Sequence, residues 1–122
     1  MTEPEAAAAR GRWGEIAATG YLQSCGHRIL QNNYKRRTGE VDIISMDGDV
    51  IVCTEVKTWF GAGSDDLSRA VSPAKQRRIC KTAAVFLLEN PRYAGCGVRF
   101  DIILIGKDTG ISHFSDAFQG AG

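Results

Sequence analysis

The chain has 122 residues, which is enough for one domain with a single hydrophobic core. Its 43% hydrophobic and 24% charged residues are ordinary for a globular protein, and no apolar run approaches the roughly 20 residues that span a bilayer. The start of the chain lacks the basic and apolar stretches of a signal peptide, which predicts a cytoplasmic protein without membrane contact. A net charge of +1 does not by itself indicate a nucleic-acid binder.

A first helix is predicted over residues 12–25. An apolar stripe at helical spacing supports it and consists of Trp13, Ile16, Ala17 and Gly20. The acidic, Ala-rich residues 1–9 that precede it are left open to disorder. An irregular strand is predicted next, over residues 27–37.

The following segment, residues 39–59, predicts a β-hairpin. Asp47 and Gly48 form a strong turn signal between two β-branched runs. Both strands are mostly apolar, so we expect them to lie in the middle of a core.

Residues 60–68 are a loop by composition. A second helix is predicted over residues 73–89, because Ser72 suits the N-cap and a proline follows at the first helical position. The apolar residues 98–105 predict a further strand, and residues 111–118 can add a short edge strand after it.

This order, α-β-β-β-α-β, predicts an α/β fold in which a mixed β-sheet is flanked by helices. We expect the strands before and after the second helix to be parallel, with a right-handed crossover between them. The chain contains no internal repeat and no linker, so residues 1–122 are predicted to form a single domain.

Charged side chains on the hairpin strands are the first functional signal. Glu40 and Asp42 share one face of the first strand, and Glu55 and Lys57 share one face of the second. A two-residue turn pairs residues whose numbers sum to about 95–97, which places Asp42 near residues 53–55. Buried charges are costly unless they are paired or bind a metal. Two readings stay open: a divalent cation between the two carboxylates, or a structural ion pair in which Lys57 neutralises Glu55 or Asp42.

Basic residues are separated from acidic ones along the chain. One basic group lies before the hairpin, and another lies in the N-terminal half of the second helix, where the helix dipole disfavours cations. Segregated charge can create a local field without a high net charge. This pattern favours phosphate contacts over a merely solvated helix face. The predicted nucleic-acid-binding residues are Lys35, Arg36, Arg37, Lys75, Arg77 and Arg78.

An Asp on one strand followed by E-x-K on the next resembles the signature of the PD-(D/E)XK nuclease superfamily, whose restriction-endonuclease-like fold has the core order α-β-β-β-α-β. A larger set of motifs resembles the YraN-like family of bacterial predicted nucleases. It comprises GEVDII, EVKT, an upstream G-x-x-x-E helix, a K-Q-x-x-I helix and an RFD strand. The resemblance covers about residues 11–105, the core of a nuclease-like domain.

The resemblance implies roles for four catalytic residues. Asp42 and Glu55 match metal ligands, Glu15 matches an acid that completes the metal site, and Lys57 matches a lysine that orients water or stabilises charge. Glu15 also fits a purely structural role, because an acid near a helix N-terminus complements the dipole. The implied cofactor is Mg²⁺ or Mn²⁺, which suits carboxylate ligands. Two polar residues are implied to support the site from around it, Glu40 and Gln76.

The sequence thus predicts a metal-dependent nuclease that hydrolyses phosphodiester bonds in DNA. No sequence-reading element is recognisable, so we expect structure-selective cutting of branched or single-stranded DNA. The alternatives are a non-catalytic nucleic-acid-binding protein that keeps the fold, and a scaffold in which the charged cluster is structural. A domain of this size offers limited contact area, which leaves room for a homodimer or a partner protein.

Overall fold

The computed structural model describes residues 2–59, 71–106 and 110–119. In chain order its elements are α1 (Glu3–Ser24), β1 (Arg28–Arg36), β2 (Gly39–Asp47), β3 (Val50–Trp59), α2 (Pro73–Glu89), a 3₁₀ turn (Pro91–Tyr93), β4 (Gly97–Gly106) and β5 (Gly110–Phe118). The predicted order α-β-β-β-α-β is confirmed, and β5 is the edge strand expected after it. The loop predicted over residues 60–68 lies outside the described residues.

The five strands form one mixed sheet in the order β1-β2-β3-β4-β5. β3 and β4 are parallel, as predicted for the strands on either side of the second helix, and the other neighbours are antiparallel. One core lies between the sheet and α2, and a second lies between the sheet and α1. Central strands are therefore covered on both faces, which explains their continuous apolar sequence. The predicted α/β fold, a sheet flanked by helices as in a restriction-endonuclease-like core, is confirmed.

Helix α1 begins well before the predicted start at residue 12. The Thr2 hydroxyl accepts a hydrogen bond from the Glu5 backbone N–H at 3.2 Å, a proline lies in the first turn, and Glu3 and Glu5 complement the helix dipole. The alanine run that follows has high helix propensity. The segment left open to disorder is consequently helical from Glu3 onward. In the described part of the chain, neither helix combines the length and the apolar character needed to cross a bilayer.

The buried face of α1 differs from the apolar stripe read in the sequence. Trp13 and Ile16 are 46% and 73% exposed, whereas Ala18 and Leu22 are fully buried. Gly14 is also buried, and a methyl group built on it would overlap Cγ2 of Thr58 on β3. Close approach of the helix to the sheet thus selects small residues at Gly14 and Ala18, and Trp13 and Ile16 remain outside the core.

Gly14→Ala is expected to lower the free energy of unfolding by about 1–2 kcal/mol. The overlap costs about 1–3 kcal/mol, and the better helix propensity of Ala returns less than about 1 kcal/mol. Gly20→Ala is the matched control, because nothing lies within 4 Å of a methyl group at Gly20. That variant should gain roughly 0.5–1 kcal/mol. Urea melts of both variants measure the difference, and equal stabilities would contradict the close packing of α1 on β3.

The predicted hairpin between β2 and β3 is confirmed. Its turn is Gly48–Asp49, and Gly48 has φ +62, a conformation that glycine adopts without strain. The strand pairs run from Asp47 opposite Val50 to Ile43 opposite Thr54, which is the register expected from a two-residue turn. One step beyond this ladder, Asp42 and Glu55 come next to each other.

Candidate active site

The hairpin strands separate at Asp42 and Glu55. Their paired ladder ends at Ile43 and Thr54, after which β2 continues along β1 and β3 continues along β4. The backbone N–H of Val56, which lies beyond the end of that ladder, donates a hydrogen bond to Oδ2 of Asp42 at 2.8 Å. The Asp42 carboxylate therefore lies in the fork between the strands and replaces one ladder hydrogen bond.

The carboxyl groups of Asp42 and Glu55 converge in this fork. Glu55 is only 5% exposed and Asp42 is half-buried. Burial, and next the charge of Glu55, raise the pKa of Asp42 to about 8, although the Val56 hydrogen bond acts in the opposite direction. The more distant charge of Glu15 contributes to the same rise. Two converging carboxyl groups, with the pKa of Asp42 raised, are the arrangement that a bound cation would stabilise.

The cation on Glu55 is Lys75, not Lys57. Lys75 Nζ forms an ion pair with Oε1 of Glu55, which corrects the structural alternative that assigned this role to Lys57. Helix α2 brings Lys75 to the site because the Ser72 hydroxyl caps the helix and accepts a hydrogen bond from the Lys75 backbone N–H at 3.2 Å. The sequence offered only a weak signal for this contact, a lysine one turn into a helix that follows β3.

A cavity of about 360 Å³ opens beside the fork. All four predicted catalytic residues line it, and Lys75 joins them: Glu15, Asp42, Glu55, Lys57 and Lys75. Lys57 is exposed, and Glu15 is half-buried on α1. The fold thus brings together side chains from α1, β2, β3 and α2 at one place. The hairpin register predicted this for Asp42 and Glu55, and the family resemblance implied it for Glu15.

A smaller cavity of about 110 Å³ also borders the carboxylate pair. Glu40 lies in its wall together with Asp42, Glu55, Lys75 and Arg78. The Gln76 side chain donates a hydrogen bond to the Val71 carbonyl at 3.1 Å. Gln76 therefore supports the start of α2, from which Lys75 reaches Glu55.

The donor set suits Mg²⁺ or Mn²⁺ through two carboxylates. Within the described residues, no group of three or more Asp, Glu, His or Cys side chains is close enough together to hold a metal. Asp42 and Glu55 are the close pair, and Glu15 lines the cavity without joining them as a third ligand. Mg²⁺ is often held by one or two carboxylates plus waters and substrate phosphates. Asp42 and Glu55 would hold the ion, with Glu15 facing the same space.

The other predicted DNA-binding residues lie on the surface. They are exposed at the end of β1 and on α2: Lys35, Arg36, Arg37, Arg77 and Arg78. Arg36 already has partners, because its guanidinium bonds Glu89 at 2.8 Å and lies 4.1 Å from the centre of the Tyr34 ring. Phosphate contact by these residues stays a prediction, and for Arg36 it would compete with the ion pair to Glu89.

Sequence reasoning missed a second polar cluster, around Asp101. This residue is fully buried, bonds Arg99 at 2.9 and 3.1 Å, and bonds Nε2 of His113 at 2.7 Å. The Asp116 backbone N–H donates to it at 3.0 Å. Although burial alone would raise the pKa of Asp101, the Arg99 hydrogen bonds and the other donors hold it below its usual value. Asp101 is the single acid in the apolar run VRFDIILI, and that isolation was the available signal.

The same network continues through Arg99 to the hairpin end of the sheet. Arg99 also contacts Asp47 at 3.3 Å, and His27 is buried with its Nδ1 2.9 Å from the Ser45 hydroxyl. Burial lowers the pKa of His27. These side chains bond one another, which identifies a structural network that ties β4 and β5 to the central strands.

The mixed sheet and the flanking helices define an α/β protein with a restriction-endonuclease-like core. The model of the uncharacterised protein family UPF0102 matches residues 14–105, and the chain belongs to this family, the YraN-like family that its motifs resemble. A UPF0102 protein of Rhodococcus opacus (strain B4) is 41% identical over 114 residues, covering 90% of this chain and 96% of the relative. One of Treponema pallidum (strain Nichols) is 38% identical over 115 residues, covering 89% and 91%.

Proposed function

We propose that the chain is a metal-dependent nuclease that hydrolyses phosphodiester bonds in DNA. The convergence of Asp42 and Glu55 in the strand fork, on the wall of a cavity that Glu15 and Lys57 also line, is the observation that carries this proposal. A purely structural ion pair needs only one carboxylate for one lysine. The second carboxyl group, Asp42, has a pKa raised to about 8, so its charged form is costly in the metal-free protein, and a bound cation would stabilise that form.

Each residue of the cavity has a defined part in the proposed reaction. When bound, Mg²⁺ or Mn²⁺ supplies positive charge to the phosphodiester and lowers the pKa of water. Asp42 and Glu55 hold the ion, and the Val56 N–H fixes the orientation of Asp42. Lys57 extends from β3 into the open part of the cavity, where an ammonium can place water or donate a hydrogen bond to developing negative charge.

The proposed substrate is branched or single-stranded DNA. Arg77 and Arg78 are exposed on α2, the helix that supplies Lys75 to the fork, and Lys35 and Arg37 are exposed at the end of β1, which pairs with β2. These cations can neutralise phosphates. A domain of this size covers little DNA, and a second copy of the chain or a partner protein would extend the contact. The protein would act in the cytoplasm, where bacterial DNA is located.

The test is a metal titration against DNA structures: a linear duplex, a single strand, a flap and a four-way junction, with a single-stranded RNA for comparison. Wild type should cleave at least one of the DNA structures with Mg²⁺ or Mn²⁺ and none in excess chelator. Lys57→Ala should lower the cleavage rate by about 10²-fold or more, the usual effect of losing one charge-stabilising donor. Its affinity for Mg²⁺ should stay near that of wild type, because Glu55 pairs with Lys75 and not with Lys57.

Lys81→Ala is the matched control, since Lys81 is an exposed lysine of α2 that lines neither cavity beside the fork. It should cleave like wild type. Cleavage that survives in Lys57→Ala and in chelator would show that the activity comes from elsewhere. Metal-independent DNA binding without cleavage of any structure would favour the non-catalytic alternative.

A further inference from the structure

We infer that Lys75 occupies the position of the divalent cation in the metal-free protein, and that metal binding displaces it toward the phosphates of bound DNA. This inference rests on the proposed function and adds a positioning residue to it. Lys75 would compete with the metal for Glu55 and would then strengthen DNA binding once the metal has taken its place.

The contacts of Lys75 support the first half of this exchange. Its ammonium pairs with Glu55, whose side chain is 5% exposed, while the Lys75 side chain itself is 35% exposed. Lys75 lines both cavities that border the carboxylate pair. The lysine thus reaches inward from solvent to the buried carboxylate, and it has open space on both sides into which it can withdraw.

The fold holds the Lys75 backbone while leaving its side chain free to move. The Ser72 cap fixes the backbone N–H of Lys75, and Gln76 fixes the first turn of α2 against the Val71 carbonyl. A lysine side chain has four flexible carbons and makes point-charge contacts without a fixed geometry. Withdrawal of the ammonium therefore requires rotamer changes only, with no movement of the helix.

Competition of this kind has a measurable consequence for metal affinity. If Glu55 is free of Lys75 only part of the time, the apparent dissociation constant for Mg²⁺ rises by the inverse of that fraction. A lysine that occupies Glu55 about nine-tenths of the time weakens Mg²⁺ binding roughly tenfold. Because coupling is reciprocal, Mg²⁺ in turn releases Lys75, and DNA affinity should rise when the metal binds.

The experiment measures Mg²⁺ binding by calorimetry, without DNA, for wild type, Lys75→Met, Lys75→Arg and the control Lys81→Met. A pH of about 8.5 keeps Asp42 mostly ionised. We expect Lys75→Met to bind Mg²⁺ roughly tenfold more tightly than wild type. Lys75→Arg should bind it more weakly, because guanidinium is the stronger partner of a carboxylate. Lys81→Met should match wild type, and circular dichroism checks the fold of each variant.

A second readout follows the released lysine. In the presence of Mg²⁺, and with Lys57→Ala in both proteins to slow cleavage, adding Lys75→Met should reduce the salt dependence of four-way junction binding by about one unit, the signature of one lost phosphate contact. Equal or weaker Mg²⁺ binding by Lys75→Met overturns the exchange while leaving the proposed nuclease intact. If Lys75→Met does not fold, Lys75→Arg decides the question. Tighter Mg²⁺ binding by Lys75→Arg than by wild type would then overturn the exchange. Asp42→Asn is expected not to bind Mg²⁺. If wild type also fails to bind Mg²⁺, both the exchange and the proposed metal site are overturned.

Discussion

Glu55→Gln and Asp42→Asn are each expected to lower metal-dependent DNA cleavage by on the order of a thousandfold or more. Both substitutions keep the size of the side chain and remove the negative charge that holds the cation. Metal ions contribute several kcal/mol of transition-state stabilisation, and each 1.36 kcal/mol corresponds to about a tenfold change in rate. Single-turnover cleavage of the preferred DNA structure, at saturating Mg²⁺, measures the effect.

Asp49→Asn provides the comparison for these variants. Asp49 is an exposed carboxylate in the turn of the same hairpin, at the opposite end from the fork. It should cleave at the wild-type rate. If Glu55→Gln and Asp42→Asn cleave at the same rate as wild type and Asp49→Asn, the fork does not hold the catalytic metal. The carboxylate pair is then a structural feature.

Asp42→Asn is also expected to raise the stability of the metal-free protein at about pH 9 by a few kcal/mol. The pKa of Asp42 is about 8 in the folded protein, against an ordinary value of 3.8. The folded state therefore holds this proton more tightly than the unfolded chain does, so wild-type stability falls as pH rises from about 4 to about 8. Asn carries no charge, and its amide oxygen can still accept the Val56 N–H. The loss of stability at high pH should therefore be absent in Asp42→Asn.

Urea melts between about pH 4 and pH 9 measure this difference. The curves of wild type and Asp42→Asn should approach each other toward about pH 4, where Asp42 is protonated in the folded state and partly protonated in the unfolded chain. Millimolar Mg²⁺ should restore part of the wild-type stability at high pH, because only the folded state binds it. Parallel curves at every pH would mean that Lys75 already compensates both carboxylates, which is the scaffold reading.

The strand pattern and the turn chemistry were sufficient to predict most of the fold. The Asp47-Gly48 signal predicted a two-residue turn, which the structure places at Gly48–Asp49, and the register of that hairpin brings Asp42 next to Glu55. The buried face of α1 was not predictable in this way. Apolar size pointed to Trp13 and Ile16, whereas the distance between helix and sheet selected Gly14 and Ala18.

The ion-pair partner of Glu55 could not be predicted from the sequence, for a physical reason. Lys57 lies two residues away on the same strand, so local reasoning chose it. The true partner, Lys75, approaches from another element, and its position depends on how α2 packs on the sheet. Long-range packing of this kind leaves no periodic signal. The Asp101 cluster is similar in one respect, because His113 comes from another strand, β5, whereas Arg99 lies two residues away on β4.

The hydrogen bond between Asp42 and Val56 bears on how this fold can diversify. Because an amide at position 42 can satisfy the same N–H, a single exchange of Asp for Asn would silence catalysis and spare the architecture. Such a change would also remove the repulsion between the carboxylates of residues 42 and 55. Under the proposed function, descendants that retain the shape and the basic surface but not the chemistry are therefore only one substitution away, and such inactive paralogues can arise without passing through an unstable intermediate.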